Sequence, residues 1–316
     1  MGFKLALNAW GAHHSTLPIL PYRKFALVCE GGGQRGIFTA GVLDAFLQQA
    51  FFPFELMIGT SAGAQTLSAY ACGQHGYSRH VITRYTTTRD FFNPLRFLRG
   101  GHLIDLDWYV DTVRRDYPLD LEEAHRRLNG RELLFCACRQ DDYRPVYLPA
   151  GRYDWLASLK ASSAIPLLYR NGAEVGDVRY VDGGVRDAIP VREAWHRGAD
   201  LILVIRTLPS GISPVPAWRQ HMHKALSRSD KLQTAVQLLE QHERIYAATQ
   251  HFIDAPPGDL RIIEIAPRQP LKSRVVGSHP RDLEHDYRRG TLCGLQFLRK
   301  IVPRLQQHRH AVPDEI

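Results

Sequence analysis

Three short stretches of this 316-residue chain carry residue types and spacings suited to chemistry. The first is Gly31-Gly32-Gly33-Gln34-Arg35-Gly36, which follows the apolar run FALVCE and precedes a helical pattern. Backbone N–H groups in such a loop point outward with a helix dipole behind them, so they can cradle a phosphate or hold an oxyanion. The loop also fits G-x-G-x-x-G, but a dinucleotide site wants an acid about 20 positions on, at the end of the second strand. Here that strand ends at Gly59-Thr60-Ser61, and Glu55 lies at its start. The second stretch is Gly59-Thr60-Ser61-Ala62-Gly63, a G-x-S-x-G between strand and helix. Small flanking residues there permit the tight turn that lifts a nucleophilic hydroxyl clear of the backbone. The third is Asp182-Gly183-Gly184, after VRYV and before Val185-Arg186-Asp187-Ala188-Ile189-Pro190. It reads as a plain Asp-Gly turn or as a carboxylate aimed into a site above a sheet.

A serine nucleophile needs a base. Among the 15 histidines, His196, His279 and His285 are candidates, but none sits in a local motif. The position of the elbow argues against the α/β-hydrolase order, because only one strand clearly precedes the elbow strand.

The elements that must position these groups follow from hydrophobic periodicity. FALVCE (25–30) and FELMIG (54–59) read as buried strands, and IFTAGVLDAFLQQA (37–50) as a helix with Ile37, Ala40, Leu43, Phe46 and Leu47 on one face. A second helix is predicted from Ser61 to about Cys72, and residues 76–130 read as mostly helical. ELLFCACR and RPVYLPA (132–149) resemble two paired strands, and residues 154–164 a helix stopped by Pro166. VRYVDGG is a strand and turn, VREAWHRG a short helix ending at Gly198, and ADLILVIRT (199–207) a buried strand. PSGISPVPAWRQ (209–220) reads as a loop. A long helix is predicted from Ser229 or Asp230 to about Phe252, with Leu232, Val236, Leu239 and Tyr246 inward. LRIIEIAP (260–267) reads as a last strand and 282–302 as a last amphipathic helix. Apolar strands alternating with helices indicate a mostly parallel sheet covered on both faces.

Composition sets the outer bounds. Hydrophobic residues make up 44% and charged residues 23%, which excludes disorder or fibrous repeats for the bulk of the chain. No stretch approaches the ~18 apolar residues of a membrane span. MGFKLALNAWGAHH lacks the apolar centre of a signal peptide, and Ala6 stands where a myristoylation signal has Ser or Thr. Five cysteines without zinc spacing read as reduced, buried thiols, so a cytoplasmic protein is expected. The net charge of +8 is uneven. Residues 79–103 set Arg79, Arg84, Arg89, Arg96 and Arg99 against Asp90 alone, and residues 281–309 are also basic. In residues 89–99, Phe91, Phe92, Phe97 and Leu98 interleave with Arg89, Arg96 and Arg99, a pattern suited to peripheral contact with an anionic membrane. No nucleic-acid motif appears, so no nucleic-acid partner is expected.

Taken together, GGGQRG, GTSAG and DGG, each after a strand and in this order, resemble the patatin-like phospholipase family. ASSAIP (161–166) and DGGVRDAIPV resemble its connecting segments, and the resemblance covers about residues 25–207. It implies a three-layer α/β/α sandwich with a mostly parallel central sheet. It also implies a serine lipid acyl hydrolase of phospholipase A or lysophospholipase type, working through a Ser61–Asp182 dyad without histidine, metal or cofactor. Gly31, Gly32, Gly33, Arg35, Gly36 and Ala62 would form the oxyanion hole, with Arg35 bracing the loop. Gly59 and Gly63 would shape the elbow, and Gly183 and Gly184 the aspartate motif. The domain plan expected is an N-terminal extension (1–24), a catalytic core (25–207) and a C-terminal part (208–316) packed on the same domain. A non-catalytic lipid-binding protein on this fold, and a nucleotide-binding α/β protein using GGGQRG, are the alternatives.

Overall fold

A computed structural model of the chain describes residues 3–7, 22–212, 230–303 and 305, with side chains described for 22–212, 241–303 and 305. Residues 213–220 of the predicted loop and the basic residues Arg304 and Arg309 lie outside these, and the side chains of Leu232, Val236 and Leu239 lie outside the described side chains.

The strands, in chain order, are β1 (Phe3–Leu7), β2 (Phe25–Cys29), β3 (Leu56–Thr60), β4 (Glu132–Arg139), β5 (Pro145–Pro149), β6 (Ala173–Val175), β7 (Val178–Asp182), β8 (Leu201–Ile205) and β9 (Arg261–Ile265). They form one sheet in the order β1-β9-β8-β2-β3-β4-β7-β6, with β5 also on β4. Pairing is parallel from β1 through to β4 and antiparallel where β5, β6 and β7 join. Every residue of β2, β3, β8 and β9 is buried, as the near-continuous apolar runs require of strands covered on both faces.

Side chains alternate between two cores. Phe25, Leu27 and Cys29 join one, and Ala26 and Val28 the other. The first core is covered by α1 (Gly36–Gln48), α2 (Ala62–Ala71) and the Pro280–Lys300 helix, through residues such as Phe38, Phe46, Leu67 and Phe297. The second is covered by α8 (Val191–His196) and the Asp230–Asp254 helix, through Val191, Tyr246 and Ile253. A central, mostly parallel sheet with helices on both faces is the expected sandwich. The helices α3 (Tyr77–Arg84), α4 (Pro94–Leu98), α5 (Leu106–Asp116), α6 (Leu121–Arg127) and α7 (Trp155–Ser163) fill the segments between. Helix α1 and the Pro280–Lys300 helix meet backbone to backbone, since a Cβ on Gly41 would lie 2.2 Å from the Tyr287 carbonyl oxygen.

Two strands, β1 and β6, carry no periodic signal in the sequence. FKLAL is short and interrupted by Lys4, and AEV has three residues, too few for a period to register.

A cluster of buried charges lies deep in this fold, around Arg206. Arg206 is 1% exposed. Its Nε donates to Glu30 Oε2 at 3.1 Å, its Nη1 to Glu264 Oε1 at 2.7 Å, and its Nη2 to the Tyr246 hydroxyl at 2.7 Å. Tyr246 in turn donates to Glu30 Oε1 at 2.5 Å, and the Thr207 N–H to Glu30 Oε2 at 2.6 Å. Removing one member of a buried charge set strands the others. Arg206→Met is expected to lower unfolding stability by about 3–5 kcal/mol, because it leaves two buried carboxylates without their cation. Urea unfolding measures this, and a loss under ~1 kcal/mol would contradict the account.

Candidate active site

The serine elbow and the aspartate turn meet because two strands end head to head on β4. Thr60, the last residue of β3, pairs with Cys136, and Asp182, the last of β7, pairs with Ala137, the next residue. β5 holds the opposite edge at both positions, through Tyr147 and Val146. The residues beyond Thr60 and beyond Asp182 therefore enter one small space above the sheet.

Ser61 sits at φ 53° and ψ −121°, a conformation that side-chain-bearing residues seldom adopt, and it is 6% exposed. Such backbone strain costs about 1–3 kcal/mol and persists only where surroundings enforce it. Enforcement here comes from Ser162, whose Oγ accepts the Ser61 N–H at 2.9 Å and donates to the Cys136 carbonyl at 2.6 Å. Gly63 is required by close approach, since a Cβ there would lie 2.3 Å from the Cys29 carbonyl oxygen. Gly59 faces the same tight turn against Gly63.

Asp182 is buried, and its Oδ1 accepts the Gly184 N–H at 2.7 Å. Oδ2 has no hydrogen-bond partner among the described residues. Burial pushes the pKa up to about 6, against opposing pulls from the nearby Ser61 hydroxyl and the Gly184 N–H. The serine hydroxyl is thus close enough to bias the carboxylate without meeting the geometry of a formed hydrogen bond. Catalytic hydrogen bonds commonly stay long until substrate is bound. Gly183 packs its backbone on Cys136, where a Cβ would lie 2.4 Å from the carbonyl oxygen.

The glycine loop differs from expectation at two positions. The Gly31 N–H is spent on the Ala188 carbonyl at 3.1 Å, and the Gly36 N–H on Gly33 and Gln34 carbonyls. Neither is free to meet an oxyanion. The N–H groups of Gly32, Gly33 and Ala62 have no acceptor among the described residues. Gly33 holds φ +58°, which a glycine adopts without the usual steric cost. Arg35 folds back, with Nε donating to the Gly32 carbonyl at 3.3 Å. Glu55 holds the Phe25 N–H at 2.8 Å, at the start of β2 and so at the end of that strand remote from the glycine loop.

Ser61, Ala62 and Gly33 lie at one wall of a pocket of about 720 Å³, solvent at its mouth included. Its other walls are mostly apolar, with Val81 and Ile82 from α3, Phe91, Ile104, and Tyr109 from α5, and with Gln34, Gln65 and Thr86 among its polar lining. Among the described residues no three His, Cys, Asp or Glu side chains are grouped to hold a metal ion.

None of the three singled-out histidines bonds Ser61 or Asp182. His279 caps the last helix through the Arg281 N–H, His285 contacts Asp286, and the His196 ring packs on Trp195. The histidine that does approach is His242, with Nδ1 2.6 Å from the Gly184 carbonyl oxygen. It sits within helical sequence remote from the motifs, so only the fold reveals it. Asp187 was also missed; it accepts the Tyr147 hydroxyl at 2.6 Å, and its carbonyl accepts the Thr60 hydroxyl at 2.8 Å.

The basic, aromatic segment needs correction. Phe91 is buried in the pocket wall, so its ring is not available to an interface, while Phe92 is half-buried against the core. Arg96 is tied to the carbonyls of Asp90, Phe91 and His102 and paired with Asp105 at 3.2 Å. Phe91 is the residue of this segment that lines the pocket, so its apolar side chain serves packing there.

A model for patatin-like phospholipase matches residues 27–195, and a second, for a domain of unknown function, matches residues 232–306. The "Uncharacterized protein YjjU" of Escherichia coli (strain K12) is 51% identical over 304 residues, covering 95% of this chain and 85% of that protein. Lysophospholipase NTE1 of Saccharomyces cerevisiae is 25% identical over 203 residues, 59% of this chain but 11% of that protein. Human GIVD cytosolic phospholipase A2 superposes with a TM-score of 0.49 at 11% identity, over 93% of this chain and 63% of that one.

The raised pKa of Asp182 has a stability consequence. Its folded value of about 6 lies above the ~3.9 of an unfolded chain, so the folded protein binds this proton more tightly. Its contribution to stability therefore falls as pH rises from about 4 to about 6 and stays low above. Asp182→Asn is expected to be more stable than wild type at pH 8, by up to about 3 kcal/mol, with the gain shrinking toward zero near pH 4. Urea unfolding at both pH values checks this; equal stability at pH 8 would contradict it.

Proposed function

The chain belongs to the patatin-like phospholipase family, and from that premise we propose that it is a serine lipid acyl hydrolase using a Ser61–Asp182 dyad. The observation that carries the proposal is the strained Ser61 beside a buried carboxylate with an open oxygen, at one wall of an apolar pocket. The Ser61 hydroxyl attacks the ester carbonyl of a phospholipid or lysophospholipid, and its proton passes to Asp182. The new oxyanion sits among the N–H groups of Gly32, Gly33 and Ala62, each donor stabilising the transition state by roughly 3–4 kcal/mol in comparable sites. Collapse breaks the ester bond, and Asp182 returns the proton to the departing alcohol or lysolipid. A water then attacks the acyl-Ser61 ester by the same steps and releases the fatty acid. Carboxylate is ordinarily a weak base, and burial of Asp182 brings its basicity toward the useful range. The acyl chain occupies the pocket, each buried methylene contributing about 0.8 kcal/mol.

Two alternatives have less support. A purely lipid-binding protein has no use for a strained serine against a buried, unpartnered carboxylate. A nucleotide site needs the carboxylate that Glu55 does not supply.

Ser61→Ala and Asp182→Asn are each expected to abolish ester hydrolysis in folded protein, with the double variant losing little more than either. A fluorophosphonate is expected to label wild type at Ser61. Hydrolysis of a soluble ester is expected to rise through pH ~6 as Asp182 ionises, since the base must be charged. Substantial activity in folded Asp182→Asn would mean that another base serves.

A peripheral membrane contact is proposed on corrected residues. Leu95 is 65% exposed and Leu98 80%, both on α4, and Leu167 is also exposed. The Leu168 carbonyl accepts the N–H groups of Leu103 and Ile104, so the two segments are joined, and Phe91, Ile104 and Ile165 carry them into the pocket wall. Arg89 and Arg99 are exposed beside them and suited to lipid phosphates. No helix among the described residues is long and apolar enough to cross a membrane. Serine at both Leu95 and Leu98 is expected to cut binding to anionic vesicles at least about tenfold, given ~1.5–3 kcal/mol per fully buried leucine. Hydrolysis of a soluble short-chain ester should hold. Unchanged vesicle binding would reject the contact.

A further inference from the structure

Residues 232–306, matched by a domain of unknown function, touch both backbone turns that carry the proposed chemistry. On the aspartate side, Gly184 donates its N–H to Asp182 Oδ1 at 2.7 Å and offers its carbonyl to His242 Nδ1 at 2.6 Å. A carbonyl oxygen only accepts, so Nδ1 carries the proton in this contact. On the glycine side, the Val275 carbonyl accepts the Gln34 N–H at 2.9 Å, and the Ser278 N–H donates to Gln34 Oε1 at 2.8 Å. Tyr246 lies one helical turn after His242 and bonds Glu30, the residue before Gly31. The two rings pack at 5.9 Å, so one helix face reaches both turns.

We infer that this C-terminal region is a clamp that sets the geometry of both turns, with His242 the positioning residue for the aspartate turn. The inference rests on the Ser61–Asp182 reading. His242 acts through Gly184, holding the residue whose N–H fixes Oδ1 and thereby leaves Oδ2 as the proton-accepting oxygen. It touches no substrate. Without it the Gly184 carbonyl turns to water and the carboxylate loses its fixed aim. The acyl pocket, on the other side of the sheet's end, does not include His242 and is unchanged.

The test compares His242→Asn, His242→Gln and His242→Ala with wild type on a soluble short-chain ester, together with the rate of fluorophosphonate labelling. Asparagine places an amide N–H where Nδ1 stood, and glutamine places it one carbon further out. Asparagine is expected to keep kcat within about threefold, while glutamine and alanine lose about tenfold or more, misplacement of a reacting group by an ångström being that costly. KM should stay within about twofold for all, because only a step after binding is altered. Labelling rates should follow kcat. The Asn and Gln variants keep the site filled, so the comparison survives even if the alanine variant does not fold. Equal kcat for Asn and Gln, or a labelled wild type matched by His242→Ala, overturns this inference alone. A wild type that takes no label overturns the hydrolase reading and this inference with it.

Discussion

One residue step along β4 sets the spacing on which the site depends. Cys136 receives the end of β3 and Ala137 the end of β7, so the serine elbow and the carboxylate arrive from opposite directions at adjacent backbone positions. A parallel neighbour brings in Ser61 and an antiparallel one brings in Asp182. The change of strand sense at this edge of the sheet is therefore what brings the two strand ends together. Ser162 ties the arrangement further, bonding the elbow N–H and the Cys136 carbonyl at once. The position of Ser61 is inherited from the sheet's hydrogen bonds rather than from a contact between Ser61 and Asp182.

Around that junction the fold spends stability on polarity. Glu30 and Arg206 lie buried at the ends of β2 and β8, and their pairing fixes where the glycine loop leaves the sheet. Asp182 remains buried with one oxygen unmatched. The first arrangement is satisfied by its hydrogen bonds; the second is left incomplete at Asp182 Oδ2. Compensated charge beneath and uncompensated charge above are both consequences of ending polar residues on buried strands.

Much of this was legible in the sequence where short-range rules apply. FALVCE, FELMIG and LRIIEIAP announce strands by unbroken apolar character, and glycines beside Ser61 and after Asp182 announce turns. What could not be read is tertiary. That Gly31 spends its N–H on Ala188 depends on a contact between distant segments, as does the burial of Phe91 and the tying down of Arg96. His242 and Asp187 carry no local signature because their partners come from other elements. β1 and β6 were missed because short strands are selected by a waiting partner edge more than by their own pattern.

The place of β1 beside β9 bears on how the chain avoids self-association. RIIEI in β9 is β-branched and rich in isoleucine, the kind of edge that recruits a strand from another molecule. Phe3 pairs with Arg261 and Leu7 with Ile265, so a segment distant in sequence covers this edge. Until this long-range pairing forms, the outer edge of β9 is open. Pairing between strands so far apart in sequence closes slowly, and an unpaired apolar edge is open to aggregation while it does.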